Sequence, residues 1–199
     1  GYEFQHALAN LLPVSILINV IQIKGSFMKV ELSFIKNLYL LSGPFIFFTL
    51  YFIKIDLADL GQFVGLFLIF IALKEKIGLL KRVIKSVLNY EYIYLILLGL
   101  IHGLTNLGGA LLSAAIFNKD ISKERKRVTI AFSYLSMALI QIATLILKFG
   151  ISVFFNNYIL YSLGLALSAY LITMNYYNKI DNEQYKNISD IFLLAIGIA

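Results

Sequence analysis

The sequence predicts an all-α integral membrane protein, built as a polytopic bundle of helices. Of its 199 residues, 60% are hydrophobic and only 14% are charged, whereas soluble domains average roughly 45–50% apolar and about 25% charged residues. The mean hydropathy is +0.83. Several apolar runs reach about 17–20 residues, the length that a helix needs to cross a bilayer.

The charged residues exclude several other classes of protein. The net charge is +6, but Lys and Arg lie in short loops between apolar runs, as the positive-inside rule describes. The sequence shows no soluble domain with a basic face, so it gives no indication of nucleic-acid binding. Cysteine is absent, which excludes disulfides and thiolate metal sites. The two histidines lie far apart in sequence, so we expect no zinc site and no cofactor.

The first predicted span runs from Ala7 to Ile23 and contains Pro13, which removes one helical hydrogen bond. Asn10 and Ser15 lie along this span. Two interpretations of these polar residues stay open. They form hydrogen bonds between helices, or they line a substrate path.

Two more spans and a connector precede the centre of the chain. The second span, Asn37 to Ile53, contains Ser42-Gly43-Pro44, which predicts a bend. The third span, Leu57 to Leu73, carries Asp59 near its start, either as an intramembrane carboxylate or as a solvated residue. Lys74 to Glu91 follows with basic residues and apolar residues at helical spacing, which is typical of a helix on an anionic membrane surface.

The chain is organised around Tyr92–Phe117, an apolar segment interrupted by glycines and polar residues. Glycine weakens a helix and polar groups are costly in hydrocarbon. Unwound backbone at membrane depth is tolerated only where protein or a wet cavity surrounds it, and broken segments of this kind indicate a transporter's binding site. We therefore predict that substrate is bound by His102, Gly103, Thr105, Asn106, Gly108 and Gly109.

The remainder of the chain contains a basic loop, two further spans and a short final apolar run, at 119–127, Val128–Leu147, Phe154–Met174 and Ile188–Ala199. The fourth span carries several polar residues, among them Gln141. Because the chain starts at Gly1 and ends within an apolar run, we expect one transmembrane domain, 1–199, truncated at both ends.

Charge predicts how the central segment lies in the membrane. The loops on both of its sides are the most basic in the chain, and the positive-inside rule places both in the cytoplasm if the segment dips in and returns as two half-helices. A single broken crossing is the alternative. With a re-entrant segment, residues 1–91 and 92–199 have opposite orientation, which predicts an inverted repeat, the first part being the remainder of one repeat plus the connector.

The segment Leu98–Ala114, LGLIHGLTNLGGALLSA, together with the basic loop and polar-lined span that follow it, resembles the second-half signature of the sulfite exporter TauE/SafE family. The resemblance extends over most of the chain, including His6-Ala7 at the first span. Ala110 stands where the family has its third glycine, and the family's following proline is absent. The resemblance implies a permease or exporter of sulfite, an organosulfonate, or a related sulfur-containing or carboxylate anion.

The physics of a broken helix agrees with an anionic substrate. A half-helix that starts after Gly108-Gly109 directs unpaired N–H groups and its positive dipole end toward the turn, which makes an anion site without a charged side chain. Thr105 and Asn106 can add donors. His102 is either a proton-sensitive partner or a hydrogen-bonding residue between helices. The alternative for all the glycines is tight helix packing.

These features predict a multi-pass protein of the plasma (inner) membrane that moves a small anionic solute by alternating access. An enzyme is not expected, because no paired carboxylates, metal ligands or Ser/His/Asp set lies at membrane depth. The alternative is a non-transporting membrane subunit or assembly factor. The sequence leaves the oligomeric state and the identity of the anion open.

Overall fold

A computed structural model of the chain describes residues 2–52, 90–117, 119–155 and 158–177, with isolated residues between 62 and 86. Most of the predicted third span (Leu57–Leu73) and of the connector after it, together with Asp59 and the final run Ile188–Ala199, lies outside the described residues.

Every regular element in the described ranges is helical, which confirms the predicted class. The described ranges contain seven α-helices: α1 (Tyr2–Ile23), α2 (Leu32–Asn37), α3 (Gly43–Phe52), α4 (Glu91–Thr105), α5 (Gly109–Phe117), α6 (Lys123–Phe149) and α7 (Tyr158–Tyr177). Short 3-10 turns occupy Phe27–Lys29 and Ile151–Phe154. Helix α1 continues through Pro13.

Three helices in the described part of the chain are long and apolar enough to cross a membrane. They are Phe4–Ile23, Leu32–Phe52 and Lys123–Phe149, and they correspond to the first, second and fourth predicted spans. The apolar helices Glu91–Thr105 and Tyr158–Thr173 are shorter. By length and composition, the chain is therefore a membrane protein.

The predicted bend at Ser42-Gly43-Pro44 takes the form of a π-helical turn, Leu38–Ser42, between α2 and α3. Proline lacks an N–H, and its ring conflicts with the carbonyl of the residue four positions earlier. A wider turn just before Pro44 changes the hydrogen-bond register without ending the helix. The Ser42 hydroxyl donates to the Leu95 carbonyl at 2.6 Å, which ties the end of this turn to α4.

One end of the bundle, which we call the basic end, gathers the loops that carry Lys and Arg. Lys29 pairs with Glu124 at 2.6 Å, and Arg125 pairs with Glu31 at 2.7 Å. These pairs join the segment between α1 and α2 to the start of α6. Helix α1 therefore ends where α6 begins, and the two helices run antiparallel.

At the opposite end, the far part of α6 packs against the start of α1. Leu8 and Leu12 share an apolar cluster with Leu145. The Lys148 ammonium donates to the Leu50 carbonyl at 3.0 Å, near the end of α3. Helix α6 thus connects the two ends of the described bundle, and the central segment packs along its first half and middle.

Candidate functional site

The central segment is a hairpin of two short helices. Helix α4 ends at Thr105, and α5 begins at Gly109. The Tyr94 hydroxyl donates to the Leu111 carbonyl at 2.7 Å across 17 positions of sequence. A continuous helix would separate these residues by about 25 Å, at about 1.5 Å per residue. The chain therefore reverses direction between α4 and α5.

An ion pair joins the two outer ends of the hairpin. Lys119, just after α5, lies 2.8 Å from Glu91 at the start of α4. The Asn37 amide also donates to Glu91, at 3.2 Å, and the Lys119 ammonium lies 5.1 Å from the centre of the Phe34 ring. Because α2 carries Asn37 and Phe34, both ends of the hairpin lie at the basic end.

The surroundings of Glu91 change its acidity. Burial raises the pKa of the Glu91 carboxyl, while hydrogen bonds from Lys119 and Asn37 and the charge of Lys119 lower it, and the net pKa lies below its ordinary value. The carboxyl is therefore ionised at neutral pH and holds the ion pair closed.

Thr105 and Asn106 build the turn between the helices. The Thr105 hydroxyl donates to the Ile101 carbonyl at 2.7 Å and accepts from the Leu107 N–H at 3.0 Å. Asn106 has φ 59°, in the left-handed region, and its N–H bonds the His102 carbonyl at 2.8 Å. Asparagine is among the few residues that adopt this conformation readily. The single O–H of Thr105, predicted as a ligand donor, is thus given to the backbone.

Gly108 and Gly109 let the turn approach its neighbours closely. A Cβ at Gly108 would lie 2.6 Å from Cβ and 3.0 Å from Nδ1 of His102. A Cβ at Gly109 would collide with the Tyr134 hydroxyl of α6. The Gly108 carbonyl accepts the first hydrogen bond of α5, from Leu112 at 2.9 Å. The preceding N–H groups of α5 have no partner within their own helix.

Gly103 lies inside α4 rather than at the break. A Cβ there would collide with the Thr49 hydroxyl and lie 2.9 Å from the Ile46 Cα, and one at Gly99 would lie 2.5 Å from the Ser42 carbonyl oxygen. Gly99 and Gly103 form a G-x-x-x-G pair that brings α4 against α3. The role of these two glycines is therefore to allow close packing of the helices, and α4 continues through Gly103.

Buried polar side chains face the turn. His102 is 3% exposed and Gln141, on α6, is 1% exposed. The Gln141 amide lies beside the His102 imidazole, and the two side chains can form a hydrogen bond. Within the described ranges, His102 Nδ1 and both polar atoms of Gln141 have no hydrogen-bond partner. Leaving a buried polar group unpaired costs about 1–3 kcal/mol.

Other polar residues of α6 are satisfied locally. The hydroxyls of Ser133, Ser136 and Thr144 each donate to the carbonyl four positions earlier in the helix. The sequence alone assigns Gln141 no role that distinguishes it from the other polar residues of this span. The contact of Tyr134 with the turn depends on helix packing and leaves no mark in the sequence.

The described residues of the site carry no buried acidic or basic side chain. Across the residues that the structure describes, no Lys, Arg, Asp or Glu side chain is buried. In that same part of the chain, no group of three or more His, Cys, Asp or Glu could hold a metal ion. The groups that could bind a ligand here are the N–H groups at the start of α5 and neutral polar side chains.

Comparisons with known proteins identify no relative of this chain. No family model, no curated protein and no solved structure matches it.

Proposed function

We propose that this protein is a transporter of a small anion in the plasma (inner) membrane and that the anion binds at the turn between α4 and α5. The observation that carries the proposal is the buried start of α5, beside unpaired polar atoms of His102 and Gln141. A helix start attracts anions because its N–H groups are free and its dipole end carries roughly half a positive charge. Such groups need a partner, and an anion supplies one.

Each predicted site residue has a place in this proposal. Gly108 and Gly109 let the anion and the neighbouring side chains approach the backbone. Thr105 holds the end of α4, and Asn106 reverses the chain and offers its amide to the anion. His102 contributes a ring nitrogen. Gly103 acts indirectly, since it sets the position of α4 against α3.

The hairpin also supports a re-entrant arrangement. The Glu91–Lys119 ion pair keeps its two outer ends together at the basic end, which the positive-inside rule assigns to the cytoplasm. We propose that the hairpin enters the bilayer from that side and returns. Residues 1–91 and 92–199 then belong to two inverted repeats that rock around the site, and the resemblance to the sulfite exporter TauE/SafE family favours sulfite, a sulfonate or a short carboxylate as substrate.

The test is flux through vesicles that contain the full-length protein. Labelled sulfite, organosulfonates and short carboxylates are offered to the wild type, to Gly108→Leu and to Gly164→Leu. A side chain at Gly108 meets His102, whereas nothing lies within 4 Å of a Cβ at Gly164. We expect saturable flux in the wild type and in Gly164→Leu, and none in Gly108→Leu.

Correct insertion of each variant is checked by size-exclusion chromatography and by protease accessibility. Undiminished flux in Gly108→Leu would contradict the assigned site. An absence of flux for every anion, from correctly inserted wild type, would contradict transport and favour a non-transporting subunit.

A further inference from the structure

The cations of the basic end fall into two groups. Lys29, Lys119 and Arg125 are held in ion pairs by carboxylates at 2.6 to 2.8 Å. Three other cations are exposed and have no carboxylate within ion-pair distance among the described residues: Lys24, Lys123 and Arg127. The charge of Arg127 also acts on Glu124, but Lys29 already binds that carboxylate. The second group therefore keeps a positive charge that the fold does not neutralise.

These three cations meet where α1 ends and α6 begins. The Arg127 guanidinium donates to the Gln22 carbonyl at 3.4 Å, and Lys24 follows two positions after Gln22. Lys123 precedes Arg127 by four positions, so the two side chains lie on the same face of α6. The bond to Gln22 uses one guanidinium N–H and leaves the others, in a planar fork that matches the oxygens of a phosphate.

The level of the cations along the bundle matches the headgroup region of a bilayer. The candidate span Phe4–Ile23 has 20 residues, which at about 1.5 Å per residue gives about 30 Å, the thickness of a hydrocarbon core. Lys24 comes directly after this span. Arg127 directly precedes Val128, which is fully buried at the start of the apolar part of α6. The cations therefore lie where lipid phosphates lie.

Exposed apolar side chains accompany the cations. Met28 is 93% exposed and Phe27 is 52% exposed, and both lie in the 3-10 turn that follows Lys24. The Phe27 ring packs edge-to-face on Phe132 of α6, with 5.4 Å between ring centroids, which holds the turn against the bundle. A free phosphate would contact the cations alone, whereas a phospholipid also covers apolar side chains with its glycerol and acyl groups.

We propose that Lys24, Lys123 and Arg127 bind the phosphate of an anionic phospholipid, with Phe27 and Met28 against its glycerol and upper acyl groups. Arg127 supplies the bidentate donor, and the two lysines act as point charges. The bound lipid bridges the end of α1 and the start of α6. This inference goes beyond the proposed function and does not depend on transport.

The test is equilibrium binding of lipid to the purified full-length protein in detergent, measured by native mass spectrometry. The probes are phosphatidylglycerol and phosphatidylcholine with identical acyl chains. Both carry a phosphate, but only phosphatidylglycerol has a net negative charge. Each Lys or Arg near an anionic lipid surface contributes about 1 kcal/mol, so we expect the wild type to bind one phosphatidylglycerol at least roughly 10-fold more tightly than phosphatidylcholine.

The variants are Arg127→Gln, Arg127→Lys and Lys24→Gln, and the matched control is Lys36→Gln, an exposed lysine of α2 outside the site. We expect the affinity for phosphatidylglycerol to fall roughly 10-fold in Arg127→Gln and roughly 5-fold in Lys24→Gln. Arg127→Lys should recover only part of the loss, because lysine keeps the charge without the fork. Lys36→Gln should bind like the wild type.

Lys24→Gln separates binding from folding. The Lys24 side chain is exposed and makes no hydrogen bond or ion pair in the described part of the chain, so this variant should melt like the wild type without lipid and still bind more weakly. An unchanged affinity in Lys24→Gln would overturn the proposal.

Three other results would also overturn it. The first is equal binding of the two lipids. The second is an equal loss of affinity in Lys36→Gln and Arg127→Gln, which would indicate diffuse surface charge. The third is displacement of the lipid by an equal concentration of glycerol 3-phosphate, which would indicate a site for free phosphate. Selective lipid binding by a protein without flux supports this inference and contradicts only the proposed function.

Discussion

The Glu91 carboxylate and the Lys119 ammonium lie 2.8 Å apart although 28 positions separate them in sequence. Between them the chain runs down α4, turns at Asn106 and returns along α5. The ion pair therefore marks the hairpin's two ends as neighbours.

The position of these ends in a membrane can be tested by labelling, because the chain has no cysteine of its own. We expect Tyr90→Cys and Asp120→Cys, both exposed positions, to react with a membrane-impermeant maleimide from the same side. Phe155→Cys, exposed beyond the far end of α6, should react from the other side. Labelling of positions 90 and 120 from opposite sides would refute a re-entrant hairpin.

The ion pair itself should contribute little stability, and its contribution should depend on pH. Surface pairs are worth about 0–1 kcal/mol, and Glu91 is more than a third exposed. Since the pKa of Glu91 lies below its ordinary value in the folded protein, this contribution is present above the carboxyl's unfolded pKa and is lost as pH falls through the folded one.

The measurement is thermal unfolding of the wild type and Lys119→Met at neutral and acid pH. We expect a small destabilisation of the variant at neutral pH that disappears in acid. Lys123→Met, in which an exposed lysine is changed, serves as the control. An equal deficit at both pH values would show that Lys119 acts through packing on Phe34 instead.

The close contact between α4 and α3 predicts that Gly103→Leu unfolds more easily than the wild type. Overpacking a filled interface costs about 1–3 kcal/mol, and here the new side chain meets the Thr49 hydroxyl and the α3 backbone. Gly164→Leu, in open space, should unfold like the wild type. Equal melting temperatures for the three proteins would mean that α4 and α3 do not pack as described.

The left-handed conformation of Asn106 predicts opposite results for two substitutions. Glycine adopts φ 59° without strain, so Asn106→Gly should keep the melting temperature. Asn106→Val should lower stability by about 1–2 kcal/mol, because a β-branched residue is strained there.

The Asn106→Gly variant also distinguishes a role of Asn106 in shaping the turn from a role in binding the anion. If the Asn106 amide contacts the anion, as proposed, Asn106→Gly should lose flux while it stays folded. Full flux in that variant would restrict Asn106 to shaping the turn.

Several features of this protein could be predicted from local sequence. Apolar length and composition identify the helices that match the first, second and fourth spans, and Pro44 marks the irregular turn beside it. Gly103, Gly108 and Gly109 predict an interruption because glycine weakens a helix; the break lies between Thr105 and Gly109, and the helix continues through Gly103.

The roles of individual glycines could not be separated in this way. Gly103 and Gly108 stand in the same glycine-rich segment, but one packs α4 against α3 and the other lies on His102. The structural role of each glycine depends on which atoms lie against it. Those atoms come from other parts of the fold, so the local sequence does not identify them.

By itself, the sequence determined that the chain is a helical membrane protein and where its central helix breaks, because hydropathy and backbone preference are properties of short segments. Only the tertiary structure decided that α5 returns beside α4, that the Thr105 hydroxyl is used within the turn, and that Gln141 of α6 lies beside His102. These relationships depend on which faces of distant helices meet. The packing of whole helices sets those contacts, because it determines which groups a polar side chain can reach.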